Sequence, residues 1–364
     1  MKKILFFVTK LDVGGIEKYL LRFLSYKDHD FEAIVLSKSG QKGMLDRNYE
    51  EHNAQVKLFK LGYFSLSDYR KLYQYIKDTG FDAVCDFTGD FSGIVLFTAK
   101  LAGVQKRLVF YRSSEYRFKN TFLRRIYAKL LNWLVRNNAT KILSNSSAAL
   151  ERFHSGYEHN AGFYEIIDNG IPIYDDISHE QYIEIRKSIG VPANAFLIGH
   201  VGRYNFTKNH KRILSVAKIL IKKYDNVYFF LCGKEVKDNL MSTVQQVNLE
   251  KRIIVDNSRS DIFQLLQSFD AFYYPSLVEG QPNALLEAMC VGLPFVSSNI
   301  STIKECVPPE FYKYLVDQNE SEEAVRLLST FIEKTTKDIF YKAKAYVKDR
   351  YDATTNFDKF LRQL

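Results

Sequence analysis

In the stretch IPIYDDISHEQ, residues 171–181, a regular alternation of short apolar runs and helical patterns stops, and the same alternation restarts at Phe196. Upstream, KKILFFV, FEAIVLS, QVKLFKL, AVCDF, RLVFYRS, KILSNS and FYEIID have the length and the β-branched and aromatic content of strands. Helical spacing fills the intervals near 15–26, 67–79, 91–101, 120–137 and 147–154. Downstream, FLIGHVG, NVYFFLCG, RIIVDN, AFYYPS and PFVSSN continue as strands. Near-continuous apolar strands separated by helices give parallel sheets covered on both faces. Two such series around one polar break predict two doubly wound α/β domains, 1–175 and 176–344, with a helical tail, 345–364, packing back on the first. Local periodicity is weakest over 170–190, which reads as the linker.

Length and composition agree with this division. A chain of 364 residues exceeds what one hydrophobic core serves. With 46% apolar and 26% charged residues it has ample material for two cores and is not a disordered or collagen-like chain. Cys85, Cys232, Cys290 and Cys306 are far apart and form no CxxC pair or ligand cluster, as expected of core residues in a reduced compartment. The apolar run in MKKILFFVTK is too short for a signal sequence, and no stretch reaches the ~18 apolar residues of a spanning helix. A cytoplasmic protein is expected.

In open parallel sheets ligands bind beyond the carboxyl ends of the strands, where helices begin, so two such sheets would frame a cleft between domains. Three stretches are expected at those ends. In VTKLDVGGIEKYLLRFL, Gly14 and Gly15 open a helix, and small residues there let backbone amides approach an anion. In GHVGRYNFTKNHKRIL, Gly202 permits a sharp exit from the strand, and Arg203 and Lys208 lie in the loop before a helix beginning near Asn209. A planar fork and a point charge can converge there on a diphosphate; the plainer reading is a solvated loop.

The third stretch, SLVEGQPNALLEAMCVGLP (276–294), sets Glu279 before a helix starting near Pro282, and places Asn283 and Glu287 four residues apart on one face of it. Gly280, Gln281, Pro282 and Asn283 form the entry to that helix. A carboxylate ~6 Å from a phosphate charge is repelled by roughly 3 kcal/mol at an effective dielectric of 20, so acids beside a phosphate site serve another purpose. Accepting hydrogen bonds from sugar hydroxyls fits: Glu279 for a sugar, Glu287 for a ribose. The bland alternative is a turn and a surface helix.

The pattern formed by Ser276, Glu279, Gly280, Pro282, Glu287, Ala288, Gly292 and Pro294 resembles the E-x7-E signature of family-four retaining glycosyltransferases with the GT-B fold. Gly202, Arg203, Lys208 and Asn209 are similar to that family's diphosphate clamp, and IIDNGIP (166–172) to its hinge. The resemblance implies two facing Rossmann-like domains, an N-terminal acceptor domain and a C-terminal donor domain. It also implies transfer of a sugar from a UDP- or GDP-sugar to an acceptor hydroxyl, with retention and no obligatory metal. Carried over, Arg203 and Lys208 neutralise the leaving diphosphate, Glu279 contacts the transferred sugar and Glu287 the donor ribose. A lipid-linked saccharide or a capsule or lipopolysaccharide precursor fits as acceptor. The resemblance departs where many members have a histidine after the fifth strand, since the loop here offers Arg112, Ser113 and Ser114; Arg112 is the candidate cation near the sugar. The only D-x-D, Asp28-His29-Asp30, falls at the far end of the sheet and reads as a turn rather than a metal site.

The net charge of +9 is concentrated. Residues 100–141 carry eleven Lys and Arg against Glu115 alone. Within this stretch TFLRRIYAKLLNWLVR sets Phe122, Ile126, Leu130 and Trp133 on one stripe, with Arg125, Lys129 and Arg136 elsewhere. Such a helix either docks on an anionic membrane surface, making the protein peripheral, or turns the stripe to the core. Confinement of the charge to one domain, without a recognition motif, disfavours nucleic acid as partner. A non-catalytic GT-B-like subunit that binds nucleotide sugar, or an epimerase or phosphorylase on the same fold, is the alternative to a transferase.

Overall fold

The computed structural model describes residues 1–26, 30–62, 65–112, 122–160, 162–334 and 337–364. The chain divides into two compact units, Met1–Gly170 with Ala353–Leu364, and Ile171–Asp352. In the first, β1 (Lys2–Val8), α1 (Gly15–Tyr26), β2 (Phe31–Ser37), α2 (Asp46–Glu51), β3 (Ala54–Leu58), α3 (Leu66–Thr79) and β4 (Ala83–Asp86) alternate. They continue as α4 (Gly93–Leu101), β5 (Lys106–Tyr111), α5 (Phe122–Asn138), β6 (Lys141–Ser144), α6 (Ser147–Phe153) and β7 (Tyr164–Ile166). The second unit runs α7 (His179–Ser188), β8 (Phe196–Val201), α8 (His210–Lys223), β9 (Val227–Cys232), α9 (Val236–Gln246), β10 (Ile253–Asp256) and α10 (Ile262–Gln267). It ends with β11 (Ala271–Tyr274), α11 (Asn283–Cys290), β12 (Phe295–Ser298), α12 (Ser301–Lys304), β13 (Leu315–Val316), α13 (Glu322–Glu333) and α14 (Lys337–Arg350). The last helix, α15 (Ala353–Leu361), belongs to the first unit.

Every strand pairing is parallel: the first sheet has the order β3-β2-β1-β4-β5-β6-β7 and the second β10-β9-β8-β11-β12-β13. Both are doubly wound, with the reversal of strand order at β1/β4 and at β8/β11. In β1, Ile4, Phe6 and Val8 face one core while Leu5 and Phe7 face the other, the two-residue period that buries a strand on both sides. Phe357 and Phe360 of α15 complete the first of these cores, the Phe360 ring 4.7 Å from Phe23 between centroids. Each buried ring contributes roughly 1.5–3 kcal/mol, enough to hold so short a helix on the sheet.

The boundaries differ from those expected. The tail that joins the first unit begins at Ala353 rather than 345, because α14 continues unbroken to Arg350 on the second unit, where Phe340, Ala343 and Val347 join its core. The supposed linker 170–190 contains α7, which opens with a capping box: Ser178 accepts from the Gln181 amide while the Gln181 side chain accepts from the Ser178 amide. All four cysteines are buried and free. Asp28 and His29 lie outside the described residues, as do Ser113 and Ser114. No helix among the described residues is long and apolar enough to cross a membrane.

Candidate functional site

The second sheet reverses between β8 and β11, and the loops leaving those two strands carry the predicted residues. The loop after β8 is fixed before it reaches Lys208. The Asn205 side chain accepts from the Thr207 amide at 2.8 Å, and Asn209, at φ +54°, takes the left-handed conformation that asparagine tolerates at the N-cap position of α8, its side chain donating to the Gln318 carbonyl. Thr207 then accepts from the Leu277 amide at 2.7 Å, which ties this loop to the one after β11. The helix begins at His210, one residue beyond the expected Asn209.

Lys208 and Glu279 meet directly, Nζ donating to Oε1 at 2.5 Å. The third member was not anticipated. Tyr274, the last residue of β11, accepts from Lys208 Nζ at 2.6 Å and donates to Glu279 Oε1 at 2.7 Å, and the ammonium stands 4.9 Å from the centre of its ring. Burial first, and then the Glu279 carboxylate, push the phenol well above its usual pKa, so it remains a donor. Both charged side chains are largely shielded, at 16% and 9% exposure, so the triad is held with little solvent screening.

Behind Tyr274 lie two further residues that sequence reasoning passed over. His200, in β8, stacks on Tyr274 with centroids 5.7 Å apart and meets His210 edge-on at 5.2 Å. Its Nδ1 is 3.0 Å from the Tyr273 carbonyl; a carbonyl only accepts, so that nitrogen carries the proton. Burial and then His210 depress the His200 pKa well below the usual value, and burial followed by Lys208 lowers that of His210 to about 4. Both rings are thus neutral packing at physiological pH.

Gly202 is required for proximity, with no positive φ involved in the strand exit: a Cβ there would lie 3.0 Å from His200 Nε2 and 3.3 Å from Lys208 Cδ. Gly233, at φ +154°, closes on the same turn, where a Cβ would lie 2.2 Å from the Gly202 carbonyl oxygen. Arg203 is exposed and forms no ion pair among the described residues. Pro282 occupies the N-cap of α11 instead of its first turn, so the helix starts at Asn283. Gly280 and Asn283 are half-buried, and Gln281 and Pro282 buried. Glu287, one turn into α11, is 6% exposed, which excludes the surface-helix reading.

In the first unit, Arg112 follows β5, and its guanidinium carbon is 3.4 Å from the centre of the Tyr19 ring. It donates to the Asn169 side chain, whose oxygen also accepts from Asn145 at 3.4 Å. Burial lowers the arginine's pKa to about 10, with Tyr19 opposing, so it stays charged at neutral pH. At the start of α1 the expected open anion cradle is partly taken: a Cβ on Gly14 would lie 2.3 Å from Oε2 of Glu17, the buried acid of the first helical turn, whereas Gly15 has open space.

Residues 181–347 match the family described as "Glycosyl transferases group 1", and residues 13–174 match "Glycosyltransferase Family 4". The chain belongs to the family-four glycosyltransferases. It is 26% identical over 310 residues to the capsular polysaccharide biosynthesis glycosyltransferase CapH of Staphylococcus aureus, covering 84% of this chain and 83% of the relative. It is 24% identical over 358 residues, 95% of this chain and 94% of the relative, to N-acetylgalactosamine-N,N'-diacetylbacillosaminyl-diphospho-undecaprenol 4-alpha-N-acetylgalactosaminyltransferase of Campylobacter jejuni. The crystal structure of Anabaena HepE in complex with UDP-glucose matches with a TM-score of 0.83 at 24% identity, covering the whole of both chains. The fold of this family-four chain is GT-B, built on two Rossmann-like parallel sheets of seven and six strands.

Proposed function

We propose that this glycosyltransferase moves a hexose, with retention, from a nucleoside diphosphate sugar to a hydroxyl of a lipid-linked saccharide or surface polysaccharide precursor, at the cytoplasmic face of the membrane. The observation that carries the proposal is the Lys208–Tyr274–Glu279 triad at the β8/β11 reversal, where open α/β sheets bind ligands. In this reading Arg203, exposed and uncommitted, and Lys208 take the diphosphate. Electrostatic stabilisation of charge growing on the leaving group is commonly worth about 3–4 kcal/mol per donor. Glu279 holds Lys208 in place and accepts from hydroxyls of the transferred sugar. Glu287 receives the ribose, and Gly280, Gln281, Pro282 and Asn283 bring the mouth of α11 to the linkage between them. Arg112 supplies a fixed cation on the acceptor side, with Gly14 and Gly15 lining that side beside Glu17. The UDP-glucose bound by the HepE structure supports UDP as the first donor to test, and the polyprenyl-linked substrate named for the Campylobacter relative supports the acceptor class.

Thermal unfolding in the presence of UDP, GDP and their sugars tests the donor assignment. A ligand at 100 times its dissociation constant stabilises the chain by about 2.7 kcal/mol. UDP or GDP is expected to raise the melting temperature of the wild type and not of Lys208→Ala. If neither nucleotide shifts the wild type, the assignment fails.

A further inference from the structure

Helix α5 is apolar on two sides. Leu131 and Val135 are buried. Gly93, at the start of α4, presses against this helix so closely that a Cβ would lie 2.7 Å from the Leu131 carbonyl oxygen. The stripe Ile126, Leu130 and Trp133 points elsewhere: these side chains are 51%, 50% and 59% exposed, so the core-facing alternative for the stripe does not hold. Helix α4 adds Phe97 and Leu101, four residues apart, at 42% and 60%. Lys100 of α4 reaches the Asn137 carbonyl of α5 at 3.3 Å, so the exposed faces of the two helices adjoin. Phe122, placed on the same stripe by its spacing, has a side chain outside the described residues.

We infer that this α4–α5 face docks on an anionic phospholipid leaflet. Five large apolar side chains on adjacent helices form the kind of exposed patch that soluble monomers rarely keep without a use. The charged residues of the two helices themselves have one sign, and the neighbouring acid, Asp90, is turned to Tyr111 and Asn132, from which it accepts at 2.7 and 3.2 Å. Lys100, Lys129 and Arg136 are exposed, and from Gly93 to Lys141 the only acid is Glu115. Protein interfaces are depleted in lysine, and nucleic acid offers no complement to the exposed aliphatic side chains of Ile126, Leu130 and Leu101. A leaflet takes both components, the apolar side chains entering the acyl boundary, the lysines and arginine meeting the headgroups, and the tryptophan sitting at the interface. The inference shares with the proposed function only the lipid anchor of the acceptor. Vesicle binding is measured without donor or acceptor, so either can fail alone.

Trp133 is the only tryptophan of the chain, so intrinsic emission reports on this face. With the full chain and vesicles of mixed phosphatidylglycerol and phosphatidylcholine, a blue shift of emission and co-flotation are expected, with much weaker binding to phosphatidylcholine alone. The double variant K129Q/R136Q is expected to bind anionic vesicles about 25-fold more weakly, at roughly fivefold per charge. I126S/L130S should lose the blue shift, whereas Y341S, an equally exposed site on α14, should bind as wild type. Circular dichroism of each variant checks that it is folded. An unshifted Trp133 spectrum on anionic vesicles would overturn the inference, as would unchanged flotation of I126S/L130S. So would vesicle-free self-association that shifts Trp133, which would assign the face to a second copy.

Discussion

Tyr274→Phe removes one oxygen and leaves both charges of the proposed donor site in place. In the wild type that oxygen accepts from Lys208 at 2.6 Å and donates to Glu279 at 2.7 Å, while the Lys208–Glu279 contact at 2.5 Å does not depend on it. The variant keeps the ion pair and the aromatic ring beneath the ammonium but loses the third point that fixes the direction of the pair. A hydrogen bond to a charged group is worth about 1.5–3 kcal/mol, and each 1.4 kcal/mol is tenfold. If the full amount is expressed in the transition state, kcat falls by about 10- to 150-fold. Affinity for UDP should change much less, because the Lys208 charge remains. The measurement is steady-state UDP release with a polyprenyl diphosphate saccharide acceptor, beside UDP titration and thermal unfolding of the same variant. A folded Tyr274→Phe protein with kcat within threefold of wild type would show that the phenol is packing and that Lys208 and Glu279 orient each other unaided. A loss seen in UDP affinity alone would move the role of the phenol from the transition state to ground-state binding.

Two further outcomes follow from buried titratable groups. His154 in the first unit and His210 in the second are pushed from 6.5 to about 4, chiefly by burial, and then by Arg136 and Lys208 respectively. Below pH 6.5 the unfolded chain binds protons that the folded chain refuses until about pH 4. The stability these neutral rings contribute is therefore complete above 6.5 and is lost as pH falls towards 4, by about 3 kcal/mol each. Denaturant unfolding of His154→Phe should show a shallower decline over that window than wild type, and equal slopes would refute the assignment. Arg186, 1% exposed, donates to the Ser268, Ala193 and Ala195 carbonyls and pairs with Asp270 at 2.5 Å, anchoring α7 beside β11. Arg186→Met removes the cation beside the Asp270 carboxylate, which also accepts from the Leu197 amide at 2.8 Å, and should cost about 3–5 kcal/mol in chemical denaturation, with only part of it restored in Arg186→Met/Asp270→Leu, which takes the acceptor from that amide. A loss below 1 kcal/mol would contradict it.

How much of this was legible before the structure varies with the kind of signal. Strands buried on both faces are continuous apolar runs, so the twelve read from sequence are found, whereas β13, two residues long, has no run to read. The helix α7 was hidden because its outward face dominates and only Arg186 is buried along it, yet Ser178 and Gln181, three apart, carried the capping signature. The paired cations and acids stood out as charges at strand ends. Tyr274 and His200 did not, because a tyrosine or histidine inside a strand looks the same whether its polar atom ends in the core or at the sheet's carboxyl edge. That distinction depends on which strands flank the reversal.

The stripe on α5 shows the same limit from the other side. Spacing alone gives a helix an apolar face, and two such faces on one helix compete for the core. Leu131 and Val135 go inside because Gly93 lets α4 approach them, which leaves Ile126, Leu130 and Trp133 outward. A glycine thirty-three residues before the stripe thus decides which side the helix shows to solvent. Replacing Gly93 with a larger residue, whose Cβ would meet Leu134 Cβ at 2.8 Å, would disturb this choice before it touched any residue of the donor site.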